Sequence, residues 1–255
     1  MESRDSRLSR CDISQVSDET LTTLFDTTPT LHTYKGTRIV RVSHTLVLKG
    51  STGARPCEAN ILNLVAGCDG SETIRVPKVH RVLNIEPDEI YGYKCMILMD
   101  LIDAVSVEQC WGDLKQAERV EVVSQVASMI STLRFIPLSQ EQQARPGPVG
   151  RESCVARGYW LTDIGAGPFK SKEHMETWFN RRLDITKEFH QAPDDAPLFH
   201  FGKLVLTHLD IALRNLIVDF DRNVWLIDWG DAGIYPDGSE IASTQSAEIR
   251  IAGVH

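Results

Sequence analysis

The sequence predicts an α+β protein built as a small β-rich lobe followed by a mainly helical one. Three observations predict it. The first hundred residues read as short strands with a single helix set after a lysine-bearing strand. Residues 106–136 then keep helical spacing for most of their length. Past residue 203 the chain returns to short strands, the first of which runs into the polar group of "LTHLDIALRN". The expected divisions are an N-terminal helical extension at 1–36, an N-lobe at 37–101 and a C-lobe at 102–255.

The chain has 255 residues, long enough for two lobes sharing a cleft. Its composition, 42% hydrophobic and 24% charged, is that of an ordinary globular protein. The net charge is −8 and Lys and Arg do not cluster, which argues against a nucleic-acid surface. The start, "MESRDSRLSRCDIS", lacks the apolar core of a signal peptide. No run approaches the roughly 20 apolar residues of a membrane helix. Six cysteines are scattered without close pairs, which excludes a zinc or disulfide pattern and suits the cytoplasm. The oligomeric state is not legible.

Each element has its own signal. Ser17 caps a short helix over 17–25, with Asp18 and Glu19 in its first turn and Leu21, Leu24 and Phe25 on one face. "TRIVRV" (37–42) and "TLVLKG" (45–50) alternate around Ser43-His44 as a hairpin. Pro56 suits the first turn of a helix over 55–68 that Gly67 would close. Two strands, 76–85 and 91–102, follow, separated by "EPDE". The stretch 106–136 reads as a short and a long helix. Residues 137–169 form a long excursion rich in Gly, Pro and Gln, with room for two short strands. Ser171 caps a helix over 171–190. "KLVLTH", "NLIVDF" and "VWLIDW" are strands, and the sequence after Pro236 is polar and weakly patterned.

Phosphoryl chemistry explains the polar group best. A magnesium nucleotide takes one or two carboxylates beside phosphate oxygens and water, and an attacking hydroxyl needs an acceptor for its proton. Asp210 supplies that acceptor and Asn215 a neutral metal ligand. The hairpin turning at Asp221-Arg222-Asn223 returns the chain, bringing Asp228 near Asn215. Lys49 is the cation for the phosphates, and Glu58 on the next helix is its partner.

This set resembles the protein-kinase-like superfamily, most closely its aminoglycoside phosphotransferase branch. His208, Asp210 and Asn215 match the pattern His-x-Asp-x4-Asn. Asp228 stands in "IDWGDAGIYP", where Asp231, Gly233, Tyr235 and Pro236 also fit the branch. "VPKVH" and "ILMDLI" look like its N-lobe strands and hinge, and "GPFKSKEHMETWF" is similar to a segment of fungal members. The resemblance covers residues 37–236. It implies a bilobal kinase-like fold and an ATP-dependent phosphotransferase acting on a hydroxyl of a small molecule. It further implies Asp210 as the catalytic acceptor and His208 as a brace of the catalytic loop. Asn215 and Asp228 would hold Mg²⁺, Lys49 would meet the α and β phosphates beside Glu58, and backbone near Met99, Asp100 and Leu101 would meet the adenine. Asp231 would face the acceptor or a second metal. No glycine-rich phosphate loop is expected, because only "VSHT" joins the first two strands read, and the C-terminus is shortened. Two alternatives stand beside this one, a pseudokinase scaffold and a kinase-like fold recruited to other biosynthetic chemistry.

Overall fold

The computed structural model describes residues 13–34, 36–69, 72–89, 92–150, 154–158, 160–162 and 164–244. The first half is a five-stranded antiparallel sheet. Its strands are β1 (Thr30–Tyr34), β2 (Thr37–Arg41), β3 (Leu46–Gly50), β4 (Val79–Asp88) and β5 (Gly92–Asp100). Their order is β1-β2-β3-β5-β4. The stretch expected as a helical extension therefore contains an edge strand. The first hairpin is β1–β2, closed through Gly36, whose φ of +77° is a left-handed conformation that glycine adopts without strain. Nor does "EPDE" lie between strands, since β4 runs through it to Asp88 with a shift of register.

Two helices cover the sheet, and alternation decides what faces each. Helix α1 (Asp18–Thr27) is capped by Ser17, whose side chain accepts from the Thr20 amide at 3.3 Å. It buries Leu21 and Phe25 in a cluster with Val40, Leu48 and Leu98. Helix α2 (Pro56–Ala66) packs Ile61, Leu62 and Val65 into the main core with Val47, Ile97 and Met99. Side chains two apart in a strand share a face, so Lys49 follows Val47 toward α2.

The second half is built on α3 (Val107–Cys110), α4 (Gln116–Leu133), α5 (Gln140–Ala144) and α6 (Lys172–Glu188). Helix α4 sends Val122, Met129 and Leu133, spaced seven and four apart, into the core. Two small sheets carry the polar loop. Strands β6 (Ala104–Ser106), β8 (Leu216–Asp219) and β9 (Val224–Leu226) pair in the order β6-β8-β9. Strand β7 (Leu204–Thr207) pairs with β10 (Gly233–Pro236). Among its described residues the excursion 137–169 holds α5 and isolated bridges, Gly147 with Ile234 and Ala156 with Ala166, in place of two strands. After Pro236, residues 239–244 are helical. Among the described residues no helix is long and apolar enough to cross a membrane.

Candidate active site

Lys49 lies between two carboxylates. Its Nζ donates to Glu58 Oε1 at 2.6 Å and to Asp228 Oδ1 at 2.8 Å. Glu58 comes from the first turn of α2, and Asp228 follows β9, so one ammonium joins the two halves of the protein. Lys49 is 3% exposed and Glu58 1%. Burial alone would lower the lysine's pKa, but the Asp228 and Glu58 charges outweigh it and push it up. The same ammonium holds Asp228 down at about 2, against the opposing effect of burial. Burial raises Glu58, with Lys49 opposing.

The residues of the loop at 208–215 are organised by local bonds. Asn215 Nδ2 donates to both the backbone O and Oδ2 of Asp210, each at 2.8 Å. Both amide hydrogens are thereby used, and the amide oxygen is left as the chemically distinct atom of Asn215. Arg214 pairs with the other carboxylate oxygen of Asp210. The Ile227 amide donates to Asn215 O at 3.0 Å, which sets Asn215 beside the strand that leads to Asp228. Asp228 itself has φ +62°, a conformation unusual for a residue with a Cβ and common at functional turns.

His208 is fully buried. Its Nδ1 accepts from the Asp210 amide at 3.2 Å, so the ring proton sits on Nε2 and is donated to Ile227 O at 3.1 Å. The ring also meets Trp229 edge-on at 4.7 Å. Burial lowers its pKa to about 4, which keeps it neutral. It ties the loop to the Asp228 strand and does not carry charge.

Met99 and Asp100 end β5 and Leu101 follows it, and their bonds limit what they offer. The Asp100 amide donates to Lys78 O at 3.0 Å and the Leu101 amide to Thr45 O at 2.8 Å. The Asp100 carboxylate is taken by His80 Nε2 at 2.7 Å. These N–H groups and the Asp100 side chain are thus already engaged within the protein.

Sequence reasoning missed four features. Glu240, buried, accepts from the amides of His208 and Leu209, the latter at 3.0 Å, and Ser243 Oγ donates to Leu209 O at 2.5 Å. Burial raises Glu240 to about 7, against those two N–H bonds. Asp231, expected to face the acceptor or a second metal, has unforeseen partners: Arg55 at 3.5 Å and Arg157 at 3.4 Å make it a counter-ion between α2 and the excursion. Burial raises its pKa, and the two arginines oppose this. Cys57 and Cys154, remote in sequence, hydrogen-bond to each other, which together with burial raises Cys57. Finally, Tyr34 at the end of β1 is near enough to Arg214 to act on its charge. The hairpin of β1 and β2 turns at Gly36, while "VSHT" joins β2 to β3.

A sheet whose lysine is fixed by a helix glutamate, set over a helical lobe with a strand–loop–hairpin polar group, is the architecture of kinase-like α+β proteins. Solved structures agree on the fold. The gentamicin complex of APH(2'')-IIa aligns with TM-score 0.53 at 14% identity, covering 88% of this chain and 73% of that one. The streptomycin–ATP complex of APH(2'')-IIa gives 0.51 at 16%, covering 88% and 74%. Aminoglycoside phosphotransferase APH(4)-Ia, in ternary complex with ADP and hygromycin B, gives 0.50 at 17%, covering 92% and 82%. No curated protein matches the sequence. The profile of the phosphotransferase enzyme family, APH, matches residues 26–253, and the chain belongs to that family.

Proposed function

We propose that the chain transfers the γ-phosphate of ATP, with Mg²⁺, to a hydroxyl of a small molecule. The observation that carries this reading is Lys49 Nζ, buried and held at 2.6 Å by Glu58 and 2.8 Å by Asp228. A buried ion set of this kind is costly to desolvate, and a role at the α and β phosphates explains its position. Asp210 orients the acceptor hydroxyl and takes its proton as the oxygen attacks phosphorus. Its two oxygens are set by Asn215 and Arg214, so positioning does most of the work. Backbone near Met99, Asp100 and Leu101 would meet the adenine.

The residues fit a magnesium ion in their chemistry. The Asp228 side chain is 40% exposed, so it has oxygen surface beyond its bond to Lys49, and Asn215 offers a neutral amide oxygen. Among the described residues no group of three His, Cys, Asp or Glu could hold a metal unaided. One carboxylate and one amide are a ligand set that relies on phosphate oxygens and water, as Mg²⁺ bound to a nucleotide does. The ion would neutralise charge on the phosphates. The five described cysteines are free thiols, which suits a reducing compartment such as the cytoplasm.

Calorimetric titration with Mg-ATP tests the first half of the proposal, and phosphate transfer to a panel of hydroxylated metabolites tests the second. Binding that disappears with EDTA and in Lys49→Met is the expected result. A folded chain that binds no nucleotide at millimolar Mg-ATP would refute the proposal.

A further inference from the structure

Beside the catalytic loop lies a cavity of about 450 Å³. That is within the roughly 300–1,000 Å³ of small-molecule pockets. Its walls include Trp160, Phe179, Phe199, Phe201, Leu209 and Tyr235. Phe179 meets both Phe199 and Phe201 with ring centroids 5.4 Å apart, so the wall is a set of interlocked rings. Two further observations bear on what fits. Trp160 and Phe199 remain 40% and 41% exposed at this wall, large apolar surface left in water where a ligand could cover it. The carboxylate in the lining, Asp237, is already paired with Arg134 at 2.8 Å, so it adds no unbalanced charge.

The cavity also touches the machinery. Leu209 precedes Asp210 and has the left-handed φ of +65°, with its amide held by Glu240. Gly158 packs on it so closely that an added Cβ would come within 3.3 Å of Leu209 Cδ1. One residue back, Arg157 binds Asp231 at 3.4 Å, and two residues on, Trp160 lines the cavity. A single short segment therefore runs from the charged cleft to the aromatic wall.

We infer that this cavity binds a neutral, ring-bearing small molecule, and that its occupant presses on Leu209 next to Asp210. Binding stands by itself; the consequence for turnover rests on the phosphotransferase reading above. The ring belongs either to the acceptor or to a separate effector, and the chemistry of recognition is the same.

The test is a titration of the full chain, without nucleotide, with N-phenyl-1-naphthylamine, whose fluorescence rises in apolar surroundings. Saturable enhancement is expected. Phe199→Asp, at a position already two-fifths exposed, should weaken it about tenfold or more. Ala242→Phe, which fills the cavity without adding charge, should do the same, with thermal unfolding confirming that both variants are folded. No saturable enhancement, or enhancement unchanged in both variants, overturns the inference. With Mg-ATP and 2-naphthol as acceptor, the two sources separate. If the ring is the acceptor's, Phe199→Asp raises KM for 2-naphthol and leaves KM for ATP alone. If it is an effector's, naphthylamine alters turnover without competing with 2-naphthol. A chain that binds naphthylamine here but no Mg-ATP keeps the cavity site and removes only the phosphotransferase reading.

Discussion

Helices α2 and α6 make opposite use of their residues. Helix α2 has 11 residues and buries seven of them, Glu58 included. Helix α6 has 17 and buries only Met175. The shorter helix is shut into the core because it must hold a charge in one place against Lys49. The longer one lies over an unfilled space and presents Phe179 to it. Around α2 the chemistry is ionic and dry; around α6 it is aromatic and partly wet, and the guanidinium of Arg182 stacks on Trp178 at 3.3 Å. The lesson is a division of labour, in which the ion pairs of Lys49 are preset by packing while the aromatic side keeps an unfilled space.

Breaking the ionic side should have the largest effect. Lys49→Met strands Glu58 and Asp228 without their shared cation, and loss of one partner from a buried pair costs about 3–5 kcal/mol. Urea unfolding should show that loss, whereas Phe199→Asp on the aromatic side should unfold near the parent midpoint. Asp210→Asn, between the two regions, should reduce kcat by about 10²–10⁴ with little change in KM for ATP, the range typical of a lost general base. Steady-state assays on any acceptor from the panel would show it.

A third prediction concerns pH and the buried pair His208 and Glu240. Glu240 is raised from 4.5 to about 7, so the stability it contributes is complete below pH 4.5 and lost as pH rises through 7. His208 is lowered from 6.5 to about 4, so its contribution is complete above pH 6.5 and lost as pH falls through 4. The two oppose each other over the same window. In Glu240→Gln only the histidine remains, and its melting temperature should fall on acidification from pH 6.5 to 4 more steeply than the parent's. Parallel curves would count against this account. The smallest effect belongs to α6. Ser171 accepts from the His174 amide at 3.2 Å, and Ser171→Ala should cost about 1 kcal/mol in thermal unfolding.

The ionic side was the more legible in sequence. Lys49 and Glu58 sit on a strand and the helix after it, and Asp210, Asn215 and Asp228 fall on one strand–loop–hairpin, so local patterning placed them all. Strand β1 escaped because Thr30–Tyr34 is exposed throughout and shows no alternation. Strand β10 escaped for the opposite reason, being buried throughout, so no period of two exists to be seen. The aromatic wall was invisible because its members come from segments between 160 and 242 that only the folded chain assembles. Glu240 left one faint trace, a lone acid among small and apolar residues in "SEIAS", but nothing local says that its partners are the amides of His208 and Leu209.

Gly233 has a further consequence. Its place in β10 faces Thr207 at the end of β7, and a Cβ there would meet Gly147 O at 2.5 Å. Ile234 exchanges two backbone bonds with Gly147, at 2.8 and 2.9 Å. The chain leaving Asp228 is thus stitched on one edge to the strand feeding His208 and on the other to the excursion. Swinging that segment outward would require unpicking both seams, so the chain between Asp228 and Pro236 is a latch built closed.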